Sequence, residues 1–537
     1  MAPAGLIGRV GTEPDRLTRY TRCSYTKLGL YYWPMGAALK RPADLFDRQR
    51  EWAELSAFVS DTTPGLRIAI VYGRRRQGKS YPLRRLAAAT GGFYYQALEH
   101  EPAQALVEFG DRLGAHLDVG RLAFANWDEA ISSVGRLVPR TSAALGSTSL
   151  GMVPLGGALS GGAAVAVIDE FPYLLEKTPE LPSLLQRAVD RSKEESWPAV
   201  RLILCGSAIS VMANLLDGQG ALRGRVQTSL LMRPFGYLDA ARFWGITEPN
   251  LAFRVDAVLG GTPGYRELVR SAPASTEEFD AWVVDEVLSP SSALFREDEW
   301  LLGEQRGLDN RALYLSVLSA VATGCRTQSA ISAELGRSQQ SVLHPLDALV
   351  RLGFVAKDED VVRQRRPVYR IAEPIVRFHQ AVRHPRSALF EDRRGAEAWA
   401  DSQRSFESLV LGPHFEQQAR QHVGRIGEQL TGASIITVGT TVISDKDDRS
   451  AHELDIVAVS PGTGPRHRVI EAIGEAKLRE LDAGELRRLE RARTLLDGAE
   501  DAAIVLVSAS GFSDRLAVQA AERGDVHLLT LADIYQS

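Results

Sequence analysis

Short apolar runs and stretches of helical period alternate along the first half of the chain. Arg67–Tyr72, Ala163–Ile168 and Arg201–Gly206 are each continuous and β-branched, with no polar alternation. That is the pattern of strands buried on both faces of a parallel sheet. Between residues 311 and 380 the period changes. Ala312–Ala322 and Thr327–Leu335 carry apolar residues at helical spacing, Gly336 makes a turn, and Ser338 is placed to cap a third helix bearing Val342, Leu346, Leu349 and Leu352. Gly353-Phe354-Val355 then opens a strand, and Pro367–Ile371 is its return. The last third reads as a helix over Phe406–His422 and strands near Ser434–Ile443, Leu454–Val459 and Arg468–Ala476. A helix, a strand at Ala503–Val507 and further αβ structure follow.

A chain of 537 residues is too long for one core, so several domains are expected. The boundaries read from the pattern are an N-terminal extension 1–38, an α/β domain 39–245, a helical lid 246–305, a winged helix-turn-helix 306–385 and an αβββαβ domain 395–537. Residues 1–34 show no periodicity, which makes Met35 a candidate for the natural start. Arg140 to Gly162, rich in Ser, Gly and Ala, reads as an insertion. Lys plus Arg (63) nearly balance Asp plus Glu (67), so any nucleic-acid surface must be local. One such bias exists: between Val361 and Arg386 there are seven arginines and one acid, Glu373, which puts Arg363, Arg365 and Arg366 on the wing facing phosphates. Pro345, inside the third helix, counts against a strong DNA reader because it removes a backbone hydrogen bond there. Cys23, Cys205 and Cys325 form neither a metal-ligand spacing nor a disulfide framework. With no apolar run near the roughly 20 residues that span a bilayer, and no secretory signal, a cytoplasmic protein without a membrane partner is expected.

The chemistry concentrates in Gly73-Arg74-Arg75-Arg76-Gln77-Gly78-Lys79-Ser80, a complete G-x-x-x-x-G-K-[ST] string entered from a buried strand. Its glycines let backbone N–H groups approach phosphate oxygens, Lys79 supplies a cation, and the Ser80 hydroxyl is placed to ligand Mg²⁺. Asp169 and Glu170 end the next apolar run. In a parallel sheet this sets Asp169 beside the same Mg²⁺ and lets Glu170 polarise a water. Ser207, at the end of a third strand, can sense the γ-phosphate or orient the water, and Arg225 is suited to stabilising transition-state charge, in its own chain or on a neighbour.

Leu45-Phe46-Asp47-Arg48, the Gly73–Ser80 loop, Ile168–Leu174, Gly206-Ser207 and Gly260–Tyr265 occur in the order of the archaeal-type ATPases, which this region resembles. The resemblance implies ATP as ligand, Pro263 near the adenine, and Phe46 to Arg48 flanking the nucleotide. In the last third, Gly412–Glu416, Glu453–Val457 and Gly474–Lys477 resemble the PD-(D/E)XK nucleases. That resemblance implies Asp455, Glu475 and Lys477 as a catalytic triad assisted by Glu416, with Asp455 and Glu475 holding Mg²⁺. Together these readings predict an ATP- and Mg²⁺-dependent switch controlling a DNA-directed module, with a nucleotide-dependent homo-oligomer as a further expectation. The alternatives are a signalling ATPase whose terminal domains only bind a partner or DNA, and, less favoured, a small-molecule kinase.

Overall fold

Strands without a polar face need helices on both sides, and the first sheet is built that way. It comprises β1 (Gly65–Tyr72), β2 (Phe93–Gln96), β3 (Ala164–Asp169), β4 (Ala199–Gly206) and β5 (Val226–Leu231). Their order is β2-β3-β4-β1-β5, and every neighbouring pair is parallel. Helices α1 (Gln49–Ser60) and α2 (Ser80–Thr90) cover one face, where Ala69 and Val71 meet Trp52, Leu55 and Leu83. On the other lie α3 (Pro102–Leu117), α4 (Trp127–Val134), α5 (Phe171–Lys177) and α6 (Leu181–Glu194), where Ile68 and Ile70 meet Phe109, Trp127 and Leu185. Alternate residues of one strand thus feed two cores. All carboxyl ends share one edge, and β4 separates β1 from β3.

This computed structural model describes residues 39–138, 162–218, 220–305, 308, 310–363, 367–445, 449–462 and 468–536. The extension 1–38 with Met35, nearly all of the insertion 140–162, and Arg365 and Arg366 lie outside the described residues.

After α7 (Ile209–Asn214) and β5 come α8 (Tyr237–Trp244), α9 (Pro249–Leu259), α10 (Phe279–Trp282) and α11 (Glu297–Gly303), an all-helical segment. Next are α12 (Arg311–Ala322), α13 (Gln328–Glu334), α14 (Gln339–Arg351) and the antiparallel hairpin of β6 (Val355–Asp358) and β7 (Val368–Ile371). Asn310, Thr327 and Ser338 cap the three helices with their side chains, and α14 runs unbroken through the buried Pro345. Helices α15 (Pro374–Phe378), α16 (Ser387–Glu391) and α17 (Gly395–Ser405) lead to α18 (Gly412–Thr431). Residues 406–411, expected to open α18, form a π-turn instead, and the helix runs on to Thr431, where Gly432 at φ 72° ends it.

The second sheet has β8 (Thr437–Asp445), β9 (Ser450–Pro461), β10 (Arg468–Lys477), β11 (Ala503–Ser508) and β12 (Val526–Thr530), in the order β12-β11-β10-β9-β8. Pairs among β8, β9 and β10 are antiparallel, and those from β10 to β12 are parallel. Helices α19 (Ala483–Leu495) and α20 (Asp514–Ala521) cover one face through Leu486, Leu489 and Leu516. The other face joins a single hydrophobic cluster that continues through α18, the middle unit and the helical segment, from Ala472 and Val505 past Phe415 to Leu349, Phe378 and Val258. α21 (Leu531–Tyr535) closes the chain, with Tyr535 edge-on to Tyr237. Among the described residues no helix is long and apolar enough to cross a membrane.

Asp360 and Val361, at the start of the loop between β6 and β7, dock on the second sheet. Val361 N–H donates to Thr440 O (3.2 Å), Asp360 accepts from the Thr441 hydroxyl (2.9 Å), and the buried Val361 belongs to the core of the second sheet. Arg363 is exposed beside it.

Candidate nucleotide site and C-terminal acidic cluster

Gly73 and Gly78 have φ of 154° and 76°. A Cβ on Gly73 would meet Met232 O at 2.4 Å, so the turn after β1 closes only around glycine. The loop then holds itself: Arg74 N–H donates to Gln77 Oε1 (2.9 Å), and Lys79 Nζ to Arg74 O (2.8 Å). Arg48, buried against the face of Phe235, braces it from outside, donating to Gln77 O (3.1 Å) and Arg233 O (2.7 Å). Pro263 is the nearest neighbour of Gly78, at 3.3 Å from where its Cβ would be, and Gly264 N–H donates to Arg76 O. The turn at 262–265 therefore sits directly on the loop.

Strand register brings the carboxylates to the same edge. Asp169 is fully buried at the end of β3 and accepts from the Tyr94 hydroxyl and from Glu170 N–H (3.0 Å). Burial pushes its carboxyl up, but hydrogen bonds from Cys205, Tyr94, Ser80 and Glu170 N–H outweigh that and leave it below its ordinary value. An ionised oxygen sharing a hydrogen bond with a hydroxyl is a donor set suited to a hard divalent cation, so Ser80 and Asp169 fit Mg²⁺. Glu170 has left-handed backbone (φ 51°, ψ 40°), a strained position for a side-chain-bearing residue, and its Oε2 accepts from Ser207 Oγ at 3.0 Å. Ser80, Asp169, Glu170 and Ser207 are thus gathered.

Arg225 is not. It precedes β5, which aligns Val226 with Ile68 and Leu231 with Tyr72, so it lies roughly 13 Å or more below the loop edge. There it pairs with Asp190 on α6 at 2.8 Å. Nor do the side chains of Arg74, Arg75 and Arg76 line a phosphate cradle. Arg74 reaches Glu373 and Gly353 O (3.2 Å) in the middle unit, Arg75 reaches Glu304, and Arg76 reaches Glu297. What this stretch offers a phosphate is backbone N–H. Burial holds Glu373 above its ordinary value despite Arg74 and Arg377, and pushes Glu297 up to about 7 despite Arg76. Sequence reasoning missed these partners, and also Tyr94, because each is set by tertiary packing; the signal available for Tyr94 was an aromatic hydroxyl at the end of a neighbouring strand.

Residues 45–247 match the family model described as an ATPase domain predominantly from Archaea. This stretch is an archaeal-type ATPase domain. An uncharacterised protein of Methanocaldococcus jannaschii is 21% identical to the chain over 350 residues, 64% of this chain and 70% of that protein. The Walker-type ATPase of Pyrococcus abyssi, a solved structure, is 20% identical with a TM-score of 0.42, covering 63% of this chain and 97% of that one. The ORC2 protein of Aeropyrum pernix, solved in ADPNP–ADP complexes, is 13% identical with a TM-score of 0.36, covering 68% and 96%.

Outside the ATPase domain, the second sheet gathers a different cluster. Gly474 pairs with Ile456, and continuing that register sets Glu475 beside Asp455. Both carboxylates are buried, and Lys477 Nζ lies 2.8 Å from each. Asp455 Oδ2 also accepts Ala476 N–H (3.1 Å), while its backbone carbonyl accepts from Arg420 (2.9 Å). Burial first, then the charge of Asp455, pushes the Glu416 carboxyl up, against the opposing charges of Arg420, Lys477 and Arg326. The oxygens suit a hard cation in kind. Among the described residues, however, the trio whose ligand atoms all lie within 4.8 Å is Asp298, Glu299 and His384. That trio is a satisfied network: Asp298 accepts from His379 (2.8 Å), Gln380 (3.0 Å), Arg383 (3.2 Å) and His384 (2.7 Å).

Proposed function

We propose that this protein is an ATP-dependent switch whose ATPase domain governs a DNA-directed C-terminal module. One observation carries the reading: a buried polar chain runs from the nucleotide loop to α18, the helix that bears Glu416, and Arg377 within it acts on Glu416 by charge. Arg74 bonds Glu373, Arg377 lies between Glu373 and His414 Nδ1 (2.9 Å), and His414 Nε2 meets Asp256 (2.8 Å). Gln418 donates to the same Asp256 (2.9 Å), and His414 and Gln418 flank Glu416 on α18. A displacement of the loop on binding or hydrolysis would reach α18 through partners that cannot be given up one at a time.

In this reading ATP lies on Gly78, Lys79 and Ser80 with Pro263 near the adenine. Ser80 and Asp169 hold Mg²⁺, which supplies charge neutralisation at the phosphates. Glu170 accepts the proton of the attacking water, held in place by Ser207. Arg225, if it acts, does so on a neighbouring copy. The three helices and hairpin of 306–385 act as a winged helix, and the αβββαβ unit as a PD-(D/E)XK-like domain using Asp455, Glu475, Lys477 and Glu416. The test is cleavage of plasmid and linear DNA in Mg²⁺ or Mn²⁺, with and without ATP, by wild type, Lys477→Ala and Asp455→Ala. Nicking by wild type alone is expected. Cleavage surviving both substitutions would come from a contaminant and removes the nuclease assignment.

A second reading has its own support: Lys477 already pairs with both carboxylates. This favours a module that binds DNA or a partner without cutting. Wild type that binds duplex DNA in an ATP-dependent way yet leaves it intact is the result that selects it.

A further inference from the structure

Resting on the ATP-dependent reading, we infer that Arg75 is a catalytic residue of the nucleotide site, which exchanges its partner Glu304 on the helical segment for the terminal phosphate of ATP. The three arginines of the loop are not equivalent. Arg74 and Arg76 are tied to Glu373 and Glu297, whose side chains are each 2% exposed, while Arg75 and Glu304 remain 58% and 31% exposed. Parting either buried pair would leave a charge uncompensated inside the protein. An exposed pair contributes little and changes partners cheaply. Of the three, a triphosphate arriving at the loop can therefore draw Arg75 to itself and leave the other two in place.

The surroundings of Arg75 fit that exchange. It lies between Gly73 and Gly78, in the stretch whose backbone N–H groups are offered to phosphates. Glu170 and Tyr173 are close enough to act on it by charge. Tyr173, whose N–H donates to Glu170 O at 3.0 Å, is in turn acted on by both Glu170 and Arg75. Arg75 thus shares the side of the loop where Glu170 meets Ser207 (3.0 Å), the side from which a water would attack. There water adds to the γ-phosphorus, the bond to the leaving ADP oxygen breaks, and the water's proton passes to Glu170. A guanidinium offsets the charge on the phosphoryl oxygens and takes no proton itself. Arg225 is paired with Asp190 well away from this edge, which leaves that role to Arg75. Because Glu304 stands at the carboxyl end of α11, the exchange also releases one tie between the loop and the helical segment.

The experiment titrates the full-length protein with fluorescent analogues of ATP and ADP, and measures phosphate release at saturating ATP. Arg75→Ala should weaken ATP about tenfold, leave ADP unchanged, and slow hydrolysis at saturation by about 10³-fold. Arg75→Lys should recover most of the ATP affinity but less of the rate, since an ammonium carries the charge without the planar fork. Glu304→Gln removes a negative charge from the carboxyl end of α11, where the helix dipole disfavours it. That variant should bind ATP roughly threefold more tightly, with ADP unchanged, because the competitor for Arg75 is gone. If the pair merely fastens the loop to the helical segment, Arg75→Ala and Glu304→Gln weaken both nucleotides together, which overturns the inference. Weaker ATP binding with an unchanged rate in Arg75→Ala overturns the catalytic role. Unchanged affinity and rate in that variant, with wild type binding and hydrolysing ATP, overturns the inference and leaves the ATPase reading standing. Wild type that binds neither nucleotide removes both.

Discussion

Glu170 shows how much of this chemistry is decided at single positions. Its left-handed backbone turns the side chain off the end of β3 toward Ser207, so the residue is held where a strand end would not otherwise point it. Glu170→Gln keeps the shape and the hydrogen bond but removes the base. ATP hydrolysis should fall by about 10²–10⁴-fold with nucleotide affinity unchanged, as read by phosphate release and by titration of a fluorescent ATP analogue. Lys79→Ala should instead lose most nucleotide binding; unchanged affinity there would overturn the assignment of the loop. Glu297 gives a pH signature. Its carboxyl titrates near 7 when folded, against 4.5 as its ordinary value. Between those values the folded state binds the extra proton, so this group's contribution falls as pH rises from about 4.5 to 7 and is lost above it. Glu297→Gln should flatten that part of the profile, measured as the denaturant midpoint at pH 5 and pH 8. A wild-type loss that persists in the variant would assign it to another group.

Elements were legible in the sequence wherever their signal is local. The buried runs that became β1, β3 and β4 carry no polar alternation, and the loop string, Asp169-Glu170 and Ser207 each sit where such a run stops, so strand register alone gathers them. The cap at Ser338 was equally local. Less local features were lost: α18 continues well beyond His422 because tertiary contacts, not periodicity, sustain it. Arg225 carried the right chemistry but no address, since an arginine's partner is chosen by the fold. The docked hairpin is the clearest case, because nothing in residues 353–371 announces Thr440 and Thr441 as partners. Val361→Asp places a charge in the core of the second sheet without a partner. It should destabilise the docking by several kcal/mol, read as increased hydrogen exchange confined to residues 355–371 and β8. Unchanged exchange there would show that the hairpin does not depend on this contact.

At the scale of the molecule, a continuous core and a continuous polar chain run through the same units, and they do different work. The apolar cluster from Val258 to Val505 is non-directional and tolerates small displacements. The chain Arg74–Glu373–Arg377–His414–Asp256 does not, because each buried charge is offset only by its neighbours. Removing one partner of such a pair costs about 3–5 kcal/mol, while removing both together costs far less. Arg74→Ala should therefore destabilise strongly, and Arg74→Ala with Glu373→Leu should recover most of the loss, a non-additivity measurable by a double-mutant cycle in denaturant. The same cycle performed on function separates fastening from coupling. If the chain transmits the nucleotide state, the double variant folds and binds ATP through its intact backbone loop, yet the ATP-induced change in DNA affinity disappears, and with it, by reciprocity, the DNA-induced change in ATP affinity. Coupling that survives in the stable double variant would move the switch elsewhere, to the Arg75–Glu304 and Arg76–Glu297 contacts of the helical segment.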